Sequence, residues 1–325
     1  MNLNLYDTEL NRIAIIGTQY VSCYWSEGYN TVENFSLELI ATDDYNKKVR
    51  PDCYVGRNDR NTLMVIKDVE ISSGKIIATG KQAARVLDDV SFIGTINENS
   101  RIDESIKSAY NNSNKYPGVV FADSSIESRY GHQISNKSIL GLCKIMCQSE
   151  DVGFRAVRSG SEVAIELYKK EANPNLVLSE KFGNLFVNSV SISTENYKNY
   201  AVVLGEGEEE NRKSVVVDLT NGEQRRDIII DARDIVSEIG ETEESYLSRL
   251  YARGIEKLLE RQTIFFCDFT PHFGDFGKRY DLGDVVTVFL SDYNIKLQSR
   301  ILRFTQIAQE NQTETNVEVG KIIIL

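Results

Sequence analysis

The stretch NYAVVLGEGEEENRKSVVVDLT, residues 199–220, decides how the chain is read. Gly205, Gly207 and the glutamates Glu206, Glu208, Glu209 and Glu210 separate two runs rich in valine. Such a segment fits a phosphate loop, a metal site, a pair of catalytic carboxylates, or a turn between two strands. Calcium loops of the EF-hand type space their oxygen ligands at alternate positions, a pattern missing here. A glycosidase pair needs apolar walls that raise one carboxyl pKa, whereas residues 206–210 are hydrophilic throughout. The reading favoured is a solvated acidic turn joining two strands.

Outward from that turn, the flanks repeat the β signal. GFRAVRS and SEVAIELYKK lie before it, followed by FVNSVSISTENY and NYAVVLG; KSVVVDLT and EQRRDIIIDA come after it. The last two are separated by Asn221-Gly222, a dipeptide that accepts positive φ at both positions and predicts a hairpin. Ile228, Ile229 and Ile230 predict a buried strand centre. Arg225, Arg226, Asp227, Asp231, Arg233 and Asp234 predict ion pairs at the strand ends or across a subunit boundary, worth only about 0–1 kcal/mol each when isolated. In the first eighty residues, NFSLELIA alternates Phe35, Leu37 and Leu39 against Ser36 and Glu38, the period of a half-buried strand. TLMVIKDVEI and KIIATG follow, with Ser72-Ser73-Gly74 as a hairpin-like turn.

Two regions change period. In residues 81–150, KQAARVLDDV predicts a short helix, and Asp103 is placed as the cap of another running to Tyr110. NKSILGLCKIMCQ puts Ile139, Leu142, Cys143, Met146 and Cys147 on one helical face. From Thr242, a candidate N-cap, to Gln262 a further helix is predicted, with Glu243 and Glu244 at the positive end of its dipole. Leu247, Leu250, Tyr251, Ile255, Leu258 and Leu259 form its expected apolar face. After residue 262 the chain reads as strands to its end. The order β, helical insert, β, helix, β lacks the β–α alternation of a doubly wound sheet. It predicts an α+β, β-rich chain built on two antiparallel barrels or sandwiches with helical interruptions.

Composition bounds the function. A chain of 325 residues, 26% charged and 41% apolar, is ordinary for a globular protein of about two domains. Its apolar runs, including 321–325, fall well short of the roughly 20 residues that span a bilayer. The start MNLNLYDTEL has no signal-peptide pattern, so folding in the cytoplasm is expected. A net charge of −11 disfavours binding to nucleic acid or anionic membranes. Cys23, Cys53, Cys143, Cys147 and Cys267 form no CxxC pair and are expected as buried, reduced thiols. His132 and His272 are too few and too far apart for HExxH, and are expected in hydrogen-bonded loops. GKIIATGK has one spacer residue too many for a phosphate loop and reads as strand, and RSGSE is no nucleophile elbow.

Taken together, NYAVVLGEGEEENR, RRDIIIDARDI, the helix EESYLSRLYARGIEKLLERQ, FGKRYDLGDVVTVFL and the final RILRFTQI before VEVG resemble the hub proteins of phage tails. Those stand at the tail tip of siphophages and prophages and are similar to the baseplate hub of contractile tails. The resemblance spans the chain and is most specific over 199–290. It implies two antiparallel β-barrel tube domains, each with a helical insertion. Their limits are 1–80 with return strands in 151–185, insertion 81–150, then 186–232 with 263–325, insertion 233–262. Three chains would close into a pseudo-hexameric ring continuing the tail tube. Gly205, Gly207 and Arg212 are then a strand–turn–strand element, and Asp231 and Arg233 open the path to the helix. Tyr280, Leu282, Gly283 and Asp284 form the turn before a tube strand. In physical terms, Gly205, Gly207 and Gly283 are expected to supply positive φ. The implied partners are two further copies, a tail-tube or distal tail protein, a tip, spike or fibre protein, and DNA passing without specific binding. No membrane contact, no cofactor, no metal and no catalysis are expected. The implied location is the virion tail, or an extracellular phage-tail-like particle, assembled in the bacterial cytoplasm. Two other classes stay open: a cell-surface glycan- or receptor-binding module, and a wall hydrolase using a carboxylate pair such as Glu206/Glu208 or Asp231/Asp234.

Overall fold

A computed structural model describes residues 1–208, 212–238, 240–261, 264–272, 274, 276–309, 312–320 and 323–324. Glu209, Glu210, Gln262, the run 321–325 as an apolar segment, and the side chains of Leu259 and Cys267 lie outside the described residues. The chain divides into two compact units, Met1–Phe186 with Thr270–Leu325, and Val187–Phe269. The grouping of 186–232 with 263–325 expected from the sequence crosses that division.

In the first unit seven N-terminal strands are β1 (Leu3–Tyr6), β2 (Arg12–Gly17), β3 (Ser22–Gly28), β4 (Asn34–Ile40), β5 (Tyr54–Arg57), β6 (Leu63–Ser72) and β7 (Lys75–Gln82). Their alternation sets their faces: Phe35, Leu37 and Leu39 of β4 are buried, while Ser36 and Glu38 are half-buried. β6 and β7 pair through a two-residue turn, with Ser72 opposite Lys75 and Ser73 and Gly74 both at positive φ. The sheet runs in the order β3-β4-β7-β6-β5-β1-β2, and its β3 edge pairs antiparallel with the second half of the fifteen-residue strand Ile295–Gln309. Beyond it come Val285–Leu290 and then Ala172–Leu178. C-terminal strands are thus laid into the same sheet as N-terminal ones. Among the described residues this sheet is open at both ends of its order, and no closed barrel is formed.

The sheet centre is buried on both faces. Met64 and Ile66 enter one core with Leu3, Trp25, Phe35 and Leu37, while Leu63 and Val65 enter another with Val86, Ile106, Leu142 and Phe154. Residues 81–150 supply most of that second layer, and continuous apolar runs such as LMVI are what two-sided burial demands. They form a 3-10 helix, Ala83–Asp89, two α-helices, Ile102–Asn111 and Ile139–Ser149, and several short strands. Ser138 caps the last helix by accepting the Gly141 N–H at 3.1 Å, and all five residues assigned to its apolar face are buried. Asp103 is not a cap. It sits inside the first turn of its helix, where its carboxylate takes Arg101 and the Glu104 N–H.

The second unit holds a three-stranded sheet with one helix on one face, and most of a two-stranded sheet made by Leu185–Ser193 and Ile264–Pro271. Tyr200–Leu204 lies between Ser214–Asp218, antiparallel to it, and Asp227–Asp231, parallel to it. Asn221 and Gly222 adopt positive φ as their chemistry requires, and Glu223 N–H closes the turn on Thr220 O at 2.7 Å. The strands they separate are nevertheless not hairpin partners, because the central strand lies between them. The local turn signal carries no information on which strand pairs with which. The helix Glu243–Leu259 is capped by Thr242, which accepts the Ser245 N–H at 3.3 Å. Tyr246, Leu250 and Leu258 are buried on the sheet and Leu247 and Ile255 pack beside them, whereas Tyr251 is 43% exposed. The apolar face is centred one residue away from the expected one, because Gly254 gives it no side chain to count. The strand Asp227–Asp231 also departs from expectation: Ile230 is buried and Ile229 is 71% exposed.

Candidate functional site

Within GEGEEENR the described residues, 205–208 and 212, are braced against the strand ends and the helix. The Gly205 N–H donates to Lys213 O (2.8 Å) and the Lys213 N–H to Glu206 O (3.0 Å), continuing the ladder past the strand ends. Gly207 has φ +103°, in the region glycine occupies freely. Gly205 does not; its requirement is space. A Cβ there would lie 2.7 Å from Leu250 Cδ1 and closer still to the Tyr246 hydroxyl. That hydroxyl accepts the Glu206 N–H at 2.8 Å and donates to Ile235 O at 3.1 Å, so the helix is pinned to the turn.

Arg212 and Arg233 converge on Asp231. Arg212 Nη2 bonds Asp231 Oδ1 at 2.5 Å and also reaches Leu204 O, while its Nε takes Gly205 O at 2.9 Å. Arg233 holds the same carboxylate through Nε and Nη2. The Arg233 guanidinium first, with Arg212 after it, keeps Asp231 well below the usual carboxylate range despite some desolvation. The Ser237 N–H lowers the Glu206 carboxyl in the same direction. Asp234 is paired with Arg253 at 3.0 Å. A general acid needs the opposite shift, and Glu206 and Asp231 are both held the other way.

The YDLGD segment is a second braced turn, in the first unit. The Tyr280 hydroxyl donates to His272 O at 2.9 Å, and the Asp281 N–H donates to the Asp284 carboxylate at 2.6 Å. Gly283 has φ +82°, and a Cβ on it would lie 2.6 Å from Tyr29 Cε2. Arg300 Nη1 donates to Gly283 O and Lys170 O, and Arg300 Nη2 pairs with Asp151 at 2.6 Å. Lys170 pairs with Asp284 at 2.9 Å.

Beside this turn lies a polar cluster that sequence reading missed. Glu27 on β3 is fully buried and accepts Trp25 Nε1 (2.7 Å), Thr62 Oγ1 (2.9 Å) and Arg60 Nε (3.0 Å). Arg60 also bonds Asp281 at 2.9 Å and lies over the Phe276 ring, which stacks on Phe304 at 3.9 Å. Burial alone would lower the Arg60 pKa, but Glu27 and Asp281 outweigh it and hold it above its ordinary value. A signal was available: in SCYWSEG, Glu27 shares the parity of the core residues Cys23 and Trp25, an inward place for a charge. A cavity of about 190 Å³ adjoins the cluster, lined in part by Asp59, Arg60, Arg155, Glu166 and Asp281. Its charges are matched internally by Arg57–Asp59, Arg155–Glu166 and Arg60–Asp281 pairs.

Among the described residues no His, Cys, Asp and Glu cluster could hold a metal ion, and no helix is long and apolar enough to cross a membrane. Cys23, Cys53, Cys143 and Cys147 are buried free thiols, and burial pushes Cys23 and Cys143 up to about 12. His132 rests edge-on against Tyr130, and the His272 N–H donates to Asn184 O at 2.9 Å.

A family model described as Siphovirus ReqiPepy6 Gp37-like protein matches residues 105–321. No curated protein matches the sequence. Among solved structures, the prophage tail protein gp18 of Listeria monocytogenes EGD-e is similar with a TM-score of 0.58 at 12% identity, over 99% of this chain and 95% of that one. The 43 kDa tail protein of prophage MuSo2 from Shewanella oneidensis follows at 0.53 and 12%, over 99% and 98%. The tail protein of Neisseria meningitidis MC58 stands at 0.53 and 11%, over 98% and 96%. At such identities the likeness is one of fold, and it extends over nearly the whole of each chain.

Proposed function

Since the chain belongs to the Siphovirus ReqiPepy6 Gp37-like family, we propose that it is a structural hub at the tip of a phage or prophage tail. The observation that carries this reading is the fold shared over 98–99% of the chain with two prophage tail proteins and a third tail protein. In this role three copies close into a ring, each giving two tube-forming β domains, so that a three-fold object meets a six-fold tube. The ring seats on a tail-tube or distal tail protein and carries a tip, spike or fibre protein. Open sheet edges favour such closure, because pairing them between copies removes exposed backbone groups. The net charge of −11 suits a channel past which DNA slides without sticking. The two braced turns are then joints that hold strand directions, and the chain itself performs no catalysis.

The rival classes draw little support. Trp25, the single tryptophan, is fully buried and offers no platform for a sugar. Glu206 and Asp231 are shifted away from an acid role. Light scattering on the purified chain tests the hub reading. A solution mass that is a multiple of three chains of 36.8 kDa supports it. A single-chain mass that persists at high concentration, together with wall-cleaving or glycan-binding activity, would replace it.

A further inference from the structure

The open face of the second unit's sheet has an order that the hub reading does not use. Register places its outward residues in three rows: Asp218–Tyr200–Asp227, Val216–Val202–Ile229 and Ser214–Leu204–Asp231. The middle row is wholly aliphatic, with Val216 46% and Ile229 71% exposed, and Tyr200 and Leu204 extend it along the central strand. Runs such as AVVL, VVV and III are the pattern of strands covered on both faces, yet the helix Glu243–Leu259 covers one face only. An exposed aliphatic row framed by charges is the composition of a contact surface.

We propose that this face docks against the same face of a second copy, the two sheets stacked about a two-fold axis. Charge selects that occupant. The chain carries −11 overall, so two copies repel over most of their surfaces. On this face the charges nearly balance and are polarised. Asp218 and Asp227 stand at one end with Arg225, which pairs with Asp227 and lies 3.4 Å over the Tyr200 ring. Asp231 stands at the other end with Arg212 and Arg233. Counting the grid and the guanidiniums bonded or stacked on it, one end is negative by one charge and the other positive by one. A two-fold stack lays each end over its opposite and the aliphatic row over itself, which is the self-complementarity an isologous interface requires.

Size sets the strength. Three strands about 4.8 Å apart and five residues at about 3.3 Å each give a footprint of roughly 240 Å², well under the about 800 Å² per partner of a stable interface. One such contact is weak. Three of them acting together, one per subunit, are not, so paired rings of six chains are the assembly expected. The number six rests on the ring proposed above, whereas the face-to-face pairing does not.

The experiment is light scattering on the full chain and on Ile229→Glu, with folding followed by circular dichroism. Six chains falling to three on substitution supports both readings, a twofold drop in mass. Two chains falling to one supports the pairing while removing the ring. Three chains, unchanged by the substitution, overturns the pairing and leaves the ring standing; a single chain throughout overturns both. Six chains that persist in a folded Ile229→Glu variant place the ring-to-ring contact elsewhere and overturn the proposal. The milder Ile229→Thr keeps a β-branched residue and guards against a folding artefact. If both variants lose the cooperative thermal transition, the chain itself covers this face and the proposal is wrong.

Discussion

Gly205 and Gly207 stand two residues apart and are glycine for different reasons. Gly207 is set by its φ of +103°, and Gly205 by Tyr246 and Leu250 against its α-carbon. Gly207→Ala is expected to cost about 1–2 kcal/mol of backbone strain. Gly205→Ala is expected to cost about 1–3 kcal/mol through forced repacking and to loosen the helix as well. Urea unfolding with hydrogen exchange on the helix separates the two; equal protection in both variants would contradict the packing argument. The sequence marked both glycines as candidates for positive φ, because spacing within a turn is visible there and a helix forty residues downstream is not. Asp231 makes a pH prediction. Its folded pKa is lowered by Arg233 and Arg212, so its stabilising contribution is complete above the ordinary value of 3.8 and is lost as pH falls through the depressed folded value. Asp231→Asn is expected to melt below the parent at neutral pH, and the gap is expected to narrow as pH falls below 3.8. A gap that widens on acidification contradicts the assignment.

At the scale of elements, Gly254 is the clearest test of how the second unit packs. Glycine inside a helix is worse than alanine by about 1 kcal/mol on propensity alone, so Gly254→Ala on an open face would stabilise. Here a Cβ would lie 2.5 Å from Val217 Cγ2 and 2.8 Å from Val203 Cγ2, which reverses the sign. Gly254→Ala is expected to lower stability by about 1 kcal/mol or more, and a raised melting temperature would show that the helix does not sit on the sheet there. The Glu27–Arg60–Asp281 cluster makes the corresponding prediction for the first unit. Arg60→Met leaves a fully buried carboxylate without its cation and is expected to cost about 3–5 kcal/mol. The double variant Glu27→Gln, Arg60→Met is expected to recover much of that in chemical denaturation. Additive losses would mean the two residues act separately. Most elements were legible from period alone, as in NFSLELIA and NKSILGLCKIMCQ, because their faces are set by neighbours in sequence. The pairing of elements was not. Asn221-Gly222 shows a turn without showing that another strand lies between its arms, and Glu27 shows an inward charge without showing Arg60.

At the scale of the molecule, β3 pairs along seven residues with a strand some 280 positions later, so the first unit closes only when its C-terminal segment is in place. Arg60–Asp281, Lys170–Asp284 and Arg300–Asp151 tie that segment to the N-terminal body. Layout pointed to a β-rich chain from the sequence, and the resemblance supplied both the structural role and the tail. Which strands of residues 1–80 and 263–325 share a sheet needed coordinates, because contacts of such sequence separation leave no local pattern. We propose that copies of this chain form a tail-tip ring. Electron micrographs of the purified full chain test it most directly. A tail-tip ring gives end-on views with three-fold symmetry and a six-lobed rim around an open channel. Uniform single-chain particles at every concentration, with no ring, would contradict it.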